Sequence, residues 1–211
     1  MFITVSPSVC RILMAAKQSE LTLNYGPWWH SPNIAKHISL DKYEVDQFIS
    51  LLKEKKVKRK ELILREGELC KTISYVDSGA LRAFCLNKAG KEATVMFAID
   101  DWWVTDMHCF LHQTPAMMYI EAIEDSSLWQ LSKDNMDNLF VKMPKFERFF
   151  RILMQNAYMT EQLRIIQNLS LPAEERYKNF LTRYPQIAQQ VTQKQIASYL
   201  KITPEFLSGI R

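Results

Sequence analysis

Hydrophobic and polar positions along this chain change period twice. Leu40, Tyr43, Val45, Phe48, Ile49 and Leu52 recur at the spacing of one helical face, which predicts a helix ending in the basic run KEKKVKRK (53–60). Residues 55–132 then break into short runs rich in β-formers: LILREGE, TISYVDSGALRAFCLN, KAGKEATVMFAI and MMYIEAIEDSSLWQL. Asp77-Ser78-Gly79 and Asn87-Lys88-Ala89-Gly90 are hairpin turns by their chemistry, since Gly supplies the positive φ such turns require. No long helical pattern separates these runs, so they predict an antiparallel β-sandwich or jelly roll and not a βαβ fold.

After Pro144 the helical period returns. Phe146, Phe149, Leu153, Ala157, Thr160, Leu163 and Ile166 repeat every three or four residues for about six turns. A helix this long buries its stripe either on its own β-domain or on a twin chain. Near-heptad spacing of aromatic and Leu positions points to a symmetric dimer through those seven residues. Ser170-Leu171-Pro172 breaks the pattern, and AEERYKNFLTRYP (173–185) follows as a helix with Tyr177, Phe180 and Leu181 inward, stopped before Pro185.

The tail VTQKQIASYLKITPEFLSGIR (191–211) is two short helices around a tight turn. Thr192 caps the first, whose inward residues are Ile196, Ala197 and Leu200. Thr203 caps the second, with Pro204 at its first position, Glu205 in its first turn, and Leu207 and Ile210 facing back. Small residue, turn and cap fall at the offsets of a helix-turn-helix, whose second helix enters the major groove of DNA; an ordinary helical hairpin is the competing reading.

Composition narrows the class. Net charge is +4, from 27 basic and 23 acidic residues, which permits an anionic partner without demonstrating one. Cys10, Cys70, Cys85 and Cys109 are scattered, with no CxxC pair, and fit a reducing cytoplasm. FITVSPSVCRILMAA (2–16) is a poor signal peptide, and no stretch approaches the ~18 apolar residues of a membrane helix. A soluble cytoplasmic protein is expected. Residues 1–33, including GPWWHSP, read as an extension, with Met14 a second candidate start.

With β-roll, long helix and terminal helix-turn-helix in this order, the chain resembles the Crp/Fnr family of bacterial transcription regulators. PKFERFFRILMQNAY, LSLPAEERY and QIASYLKITPE are especially similar to its Bacteroidetes-type members. The resemblance runs from about Ile34 to the end. It implies an α+β fold: a cyclic-nucleotide-binding-like β-roll (34–142), a dimerisation helix (143–170) and a DNA-binding unit (171–211). It also implies a homodimer on a palindromic promoter site in double-stranded DNA, an effector pocket in the roll, and RNA polymerase as a further partner.

This sequence departs from the family pattern at the effector site. Cyclic-nucleotide-binding members use a Gly-Glu pair and, about ten residues later, an Arg followed by Ser or Thr. Aligning EAIEDS (121–126) puts Thr105-Asp106 at the first pair and Ala116-Met117 at the second. Asp106 keeps a carboxylate, but Ala116 can neutralise no phosphate. Losing that guanidinium costs a buried anion on the order of several kcal/mol, so cyclic AMP is an unexpected effector. If an anion binds nonetheless, Arg82 is the cation expected to hold it, with Trp102 and Trp103 as aromatic candidates for the pocket.

His108 and His112, one turn apart beside Cys109, are a candidate metal pair, but without further ligands at a recognisable spacing no metal is expected. Cys10 alone cannot hold an iron–sulfur cluster, the strands lack the ligands of a cupin-type enzyme, and no nucleophile–base pair or phosphate loop is present. No cofactor and no catalysis are expected.

The tail departs too. Lys201 occupies a left-handed turn position where Gly is usual, at a cost of roughly 1 kcal/mol. Gly209 stands where the family generally presents a base-reading Arg, and nothing follows Arg211, which suggests a truncated or drifted motif. Glu205, Ser208 and Arg211 remain as side chains for the groove, with Thr203 at the cap and Lys194 and Lys201 on phosphates. The expected function is a Crp/Fnr-type transcription regulator with an effector in the roll. The competing readings are a β-roll small-molecule-binding protein that has lost DNA binding and, more distantly, a jelly-roll metalloenzyme.

Overall fold

A computed structural model describes residues 38–210; the extension expected at 1–33 and Arg211 lie outside the described residues. Helix α1 (Lys42–Ser50) starts at a reciprocal capping box, with Asp41 and Glu44 each accepting the other's backbone N–H at 2.9 Å. It buries Val45 and Phe48, but Tyr43 is 69% exposed and lies off the inward face.

The basic run is not the end of this helix. Leu52–Val57 is strand β1, paired antiparallel with β8 (Ser126–Ser132) from Leu52↔Leu131 to Val57↔Ser126. Exposed Lys53, Glu54 and Lys56 suit an edge strand, where charge discourages pairing with another chain.

The other strands are β2 (Leu62–Leu64), β3 (Thr72–Ser78), β4 (Ala80–Leu86), β5 (Glu92–Ile99), β6 (Trp103–Val104) and β7 (Tyr119–Ala122). They form two antiparallel four-stranded sheets, ordered β1-β8-β3-β6 and β2-β7-β4-β5. Asn87-Lys88-Ala89-Gly90 is the expected hairpin turn, joining the paired strands β4 and β5, but Asp77-Ser78-Gly79 is not a hairpin, because it carries the chain from β3 in one sheet to β4 in the other. Gly79 (φ 98°) joins β3 to β4 where a Cβ would lie 2.3 Å from Ser126 Oγ, so only glycine fits. A short helix α2 (Met107–His112) interrupts the strands, and α3 (Lys133–Lys142) follows them.

Helix α4 (Lys145–Ser170) is the expected long helix, but its apolar stripe divides. Phe146, Phe149, Phe150 and Leu153 are at most 5% exposed and belong to the core of the roll, where Phe146 stacks on Phe48 at 4.6 Å. These residues are closed to a partner chain, which corrects the interface expected at Phe146, Phe149 and Leu153. Farther along, Ala157 is exposed, Thr160 and Leu163 are half-buried, and Ile166 is 50% exposed.

The C-terminal unit comprises α5 (Ala173–Arg183), α6 (Pro185–Gln190), α7 (Gln193–Leu200) and α8 (Pro204–Gly209). Tyr177 and Phe180 on α5 are buried, but Leu181 is 37% exposed, because one residue past Phe180 turns about 100° away from the core. This unit does not stand apart. Its core includes Ala80, Phe97 and Ile99 from the outer face of the second sheet, with Phe97 against Phe180 and Tyr199 at 6.5 and 5.4 Å.

Candidate functional site

Side chains alternate between the faces of β4, and that alternation decides where the expected effector residues point. Leu81 and Ala83 join the roll core, whereas Ala80, in phase with Arg82, joins the C-terminal core. Arg82 is therefore on the outer face of its sheet, 4% exposed and ion-paired with Glu92 at 2.8 Å and Glu121 at 2.6 Å. Its guanidinium lies 4.3 Å from the Phe84 ring centre. Two carboxylates neutralise it, and it does not face the interior of the roll as a phosphate ligand, contrary to the expectation.

Asp106 caps α2. One carboxylate oxygen accepts the Cys109 N–H at 3.1 Å and the other the Met117 N–H at 2.9 Å, so both are engaged by backbone. Ala116 is buried, its N–H bonded to the Glu68 carbonyl at 2.8 Å, while Met117 is 55% exposed. The tryptophans diverge: Trp103 packs on Tyr75 and Phe150, and Trp102 packs edge-on against Tyr184 of the C-terminal unit. The six expected pocket residues thus do not converge on one ligand.

His108 and His112 lie with ring centres 4.7 Å apart on α2, both exposed. Cys109 beside them is buried and accepts the Cys70 N–H at 2.8 Å, so it points away from the pair. Among the described residues no group of three or more His, Cys, Asp or Glu side chains is placed to hold a metal ion. Burial is the main influence on Cys70 and raises its thiol pKa, which keeps it protonated and poorly reactive.

The helix-turn-helix geometry is well formed. Thr192 and Gln195 make a capping box on α7, and Thr203 Oγ1 accepts the Phe206 N–H at 3.1 Å to cap α8. Lys201 adopts the left-handed conformation (φ 53°), and the following Ile202 N–H returns to the Ala197 carbonyl at 3.0 Å, closing the helix end as a Schellman turn. Ile196, Ala197, Leu200 and Leu207 are at most 5% exposed. On the other side Lys194, Lys201, Thr203, Glu205 and Ser208 are exposed; Arg211 lies outside the described residues.

Two features escaped the sequence reading. Phe206 is 46% exposed on α8, an apolar side chain on the same free surface as Glu205. Its local pattern was the available signal, since it falls outside the Leu207–Ile210 inward spacing. Ser198 reaches β5, with the Thr94 N–H donating to its hydroxyl at 2.9 Å and the hydroxyl donating to the Glu92 carbonyl at 3.0 Å. That contact joins segments more than a hundred residues apart and leaves no local trace.

Residues 54–142 match the cyclic nucleotide-binding domain family. The chain is 23% identical to the anaerobic regulatory protein of Aggregatibacter actinomycetemcomitans, over 82% of this chain and 71% of that one. It is 24% identical to the regulatory protein HlyX of Actinobacillus pleuropneumoniae, over 82% and 76%. Among solved structures it is similar to FixK2 from Bradyrhizobium japonicum, with TM-score 0.65 at 18% identity, covering 75% of this chain and 82% of that one. A putative transcriptional regulator of the crp/fnr family from Eubacterium rectale gives TM-score 0.65 at 20% identity, covering 81% and 82%. With its two-sheet roll, long helix and capped helix-turn-helix in family order, the chain is similar over most of its length to transcription regulators of the Crp/Fnr type.

Proposed function

We propose that the chain regulates transcription in the cytoplasm by docking α7 and α8 on promoter DNA, with 34–142 as the sensing domain, 143–170 as the dimer helix and 171–211 as the DNA-binding unit. The division of surfaces on α7 and α8 supports this reading. Their inner side is sealed by Ile196, Ala197, Leu200 and Leu207, and their outer side presents two lysines, two hydroxyls and a carboxylate. Lys194 and Lys201 meet phosphates, and Glu205 accepts from cytosine N4. The alternative, a roll that has lost DNA binding, is disfavoured by relatives named as regulators across most of this chain. We assign it no catalytic activity, and RNA polymerase is its natural further partner.

The dimer seam is shifted from the stripe read in the sequence. Ile152, Met159 and Ile166 are seven residues apart, and Gln155, Gln162 and Leu169 interleave with them at heptad spacing. Met159, Ile166 and Leu169 are 40%, 50% and 84% exposed in the single chain, and flanking Tyr158 and Ile165 are exposed as well. An exposed heptad row of Met159, Ile166 and Leu169, interleaved with glutamines on a 26-residue helix, fits a parallel twin.

We propose an effector other than cyclic AMP, since Ala116 offers no cation and both Asp106 oxygens already accept backbone N–H groups. Fluorescence anisotropy on palindromic duplexes, titrated with salt, tests the reading as a whole. Binding that weakens as salt rises is expected, and no binding even at low salt would overturn it.

A further inference from the structure

Three arginines meet in a cleft where α4 joins the helix-turn-helix unit. Arg164 of α4 and Arg176 and Arg183 of α5 line it, together with the amides of Gln167, Asn168 and Asn179, and no carboxylate lines it. Tyr184, Tyr199 and Phe180 form the apolar wall. We propose that this cleft binds a small oxyanion, inorganic phosphate or the phosphate head of a larger molecule, and that the bound anion clamps the DNA-binding unit to the long helix.

The case starts with Arg176. Its Nη1 donates to Asn168 Oδ1 at 3.0 Å and to the Leu200 carbonyl at 2.7 Å, both neutral acceptors. Its Nε is buried with no hydrogen-bond partner. Arg164 donates to the Val95 carbonyl at 2.6 Å, pairs with Glu161 and lies 5.0 Å from the Tyr199 ring centre. Arg183 lies 5.4 Å from the ring centre of Tyr184. Burial holds the Arg183 guanidinium below its usual pKa, and the opposing influences come from Tyr184 and Tyr199, phenols that burial itself keeps protonated.

Arg164 already has Glu161, but the Arg176 guanidinium faces neutral acceptors with its Nε buried and unpartnered, and an oxyanion relieves that cost because guanidinium forks match its oxygens. The enclosed part of the cleft is about 30 Å³, room for roughly two water-sized groups, so it seats two oxygens of a tetrahedral head and leaves the rest at the open mouth. The cleft is separate from the Asp106–Met117 region and from the DNA-facing row, neither of which lines it. An anion here touches both the long helix and the unit that reads DNA, so its occupancy couples to DNA binding.

Calorimetry of the full chain with inorganic phosphate and with pyrophosphate at low ionic strength tests this. Saturable binding is expected, weakened about tenfold by Arg176→Gln and by Arg183→Gln. Arg176 also holds the end of α7, so circular dichroism of both variants checks the fold, and Arg183→Gln alone decides if Arg176→Gln unfolds. Lys194→Ala with Lys201→Ala is expected to weaken DNA binding and leave phosphate binding unchanged, which separates this site from the DNA surface. No saturable binding at millimolar phosphate, or binding unaltered in a folded Arg183→Gln, overturns the proposal.

Discussion

Ser198, in the first helix of the helix-turn-helix, is hydrogen-bonded to Thr94, on an edge strand of the roll: the Thr94 N–H donates to the Ser198 hydroxyl at 2.9 Å. The same hydroxyl donates to the Glu92 carbonyl, so one side chain satisfies two edge groups of β5. Ser198→Ala removes both bonds, each worth about 1 kcal/mol. The Thr94 amide is then expected to exchange with solvent about tenfold faster or more. An unchanged exchange rate would show that the packing of Phe97 on Phe180 and Tyr199 alone holds the two units together.

Met159→Glu with Ile166→Glu places charges in the proposed seam and is expected to yield folded monomers, because both residues are substantially exposed in the single chain. Leu153→Glu is expected to unfold the protein instead, since Leu153 is 5% exposed within the roll core and burying an unpaired charge there costs several kcal/mol. Light scattering and circular dichroism separate the outcomes, and a monomeric wild type at micromolar concentration would remove the dimer.

Cyclic AMP is expected to give no measurable heat in calorimetry. Ala116 is buried beside the Glu68 carbonyl, and both Asp106 oxygens accept backbone N–H groups. Micromolar affinity would mean that the 105–117 segment reorganises on binding.

On DNA, this chain is expected to bind weakly with little preference among sequences, because Gly209 offers no side chain to a base. A Cβ at Gly209 meets nothing within 4 Å, so Gly209→Arg is sterically free to supply a guanine reader worth ~1–3 kcal/mol of discrimination. Lys194→Ala with Lys201→Ala is expected to lower the salt slope by about two, with equal loss on every sequence. Nanomolar, selective binding by the unaltered chain at physiological salt would show that Glu205, Ser208 and Phe206 read bases by themselves.

High pH is expected to loosen the joint between the roll and the C-terminal unit. Burial is the leading cause raising both Tyr184 and Tyr199 above the usual phenol value of 10.0. For a group raised by folding, the stability contribution is complete below its unfolded pKa and disappears as pH rises through the folded one. The unfolding midpoint should therefore fall above about pH 10, and Tyr199→Phe should flatten that fall. A midpoint independent of pH there would mean that both phenols reach solvent before unfolding.

Much of this architecture is legible locally. Turn chemistry at Asn87-Lys88-Ala89-Gly90, the caps Thr192 and Thr203, and the left-handed Lys201 are short-range constraints that the chain states within a few residues. The helical period from Phe146 likewise shows that one stripe of that helix is dry. Periodicity reports that a face is buried; it does not report against what. Only the tertiary structure decided that Phe146, Phe149 and Leu153 pack on the chain's own roll, while Met159 and Ile166 stay exposed. It made the basic run a strand, because β8 supplies ladder partners that lie far off in the sequence. It turned Arg82 outward onto Glu92 and Glu121, and it gathered Arg164, Arg176 and Arg183 around one cleft. Those outcomes depend on which surfaces meet after the chain has folded back, and no window of neighbouring residues contains that information.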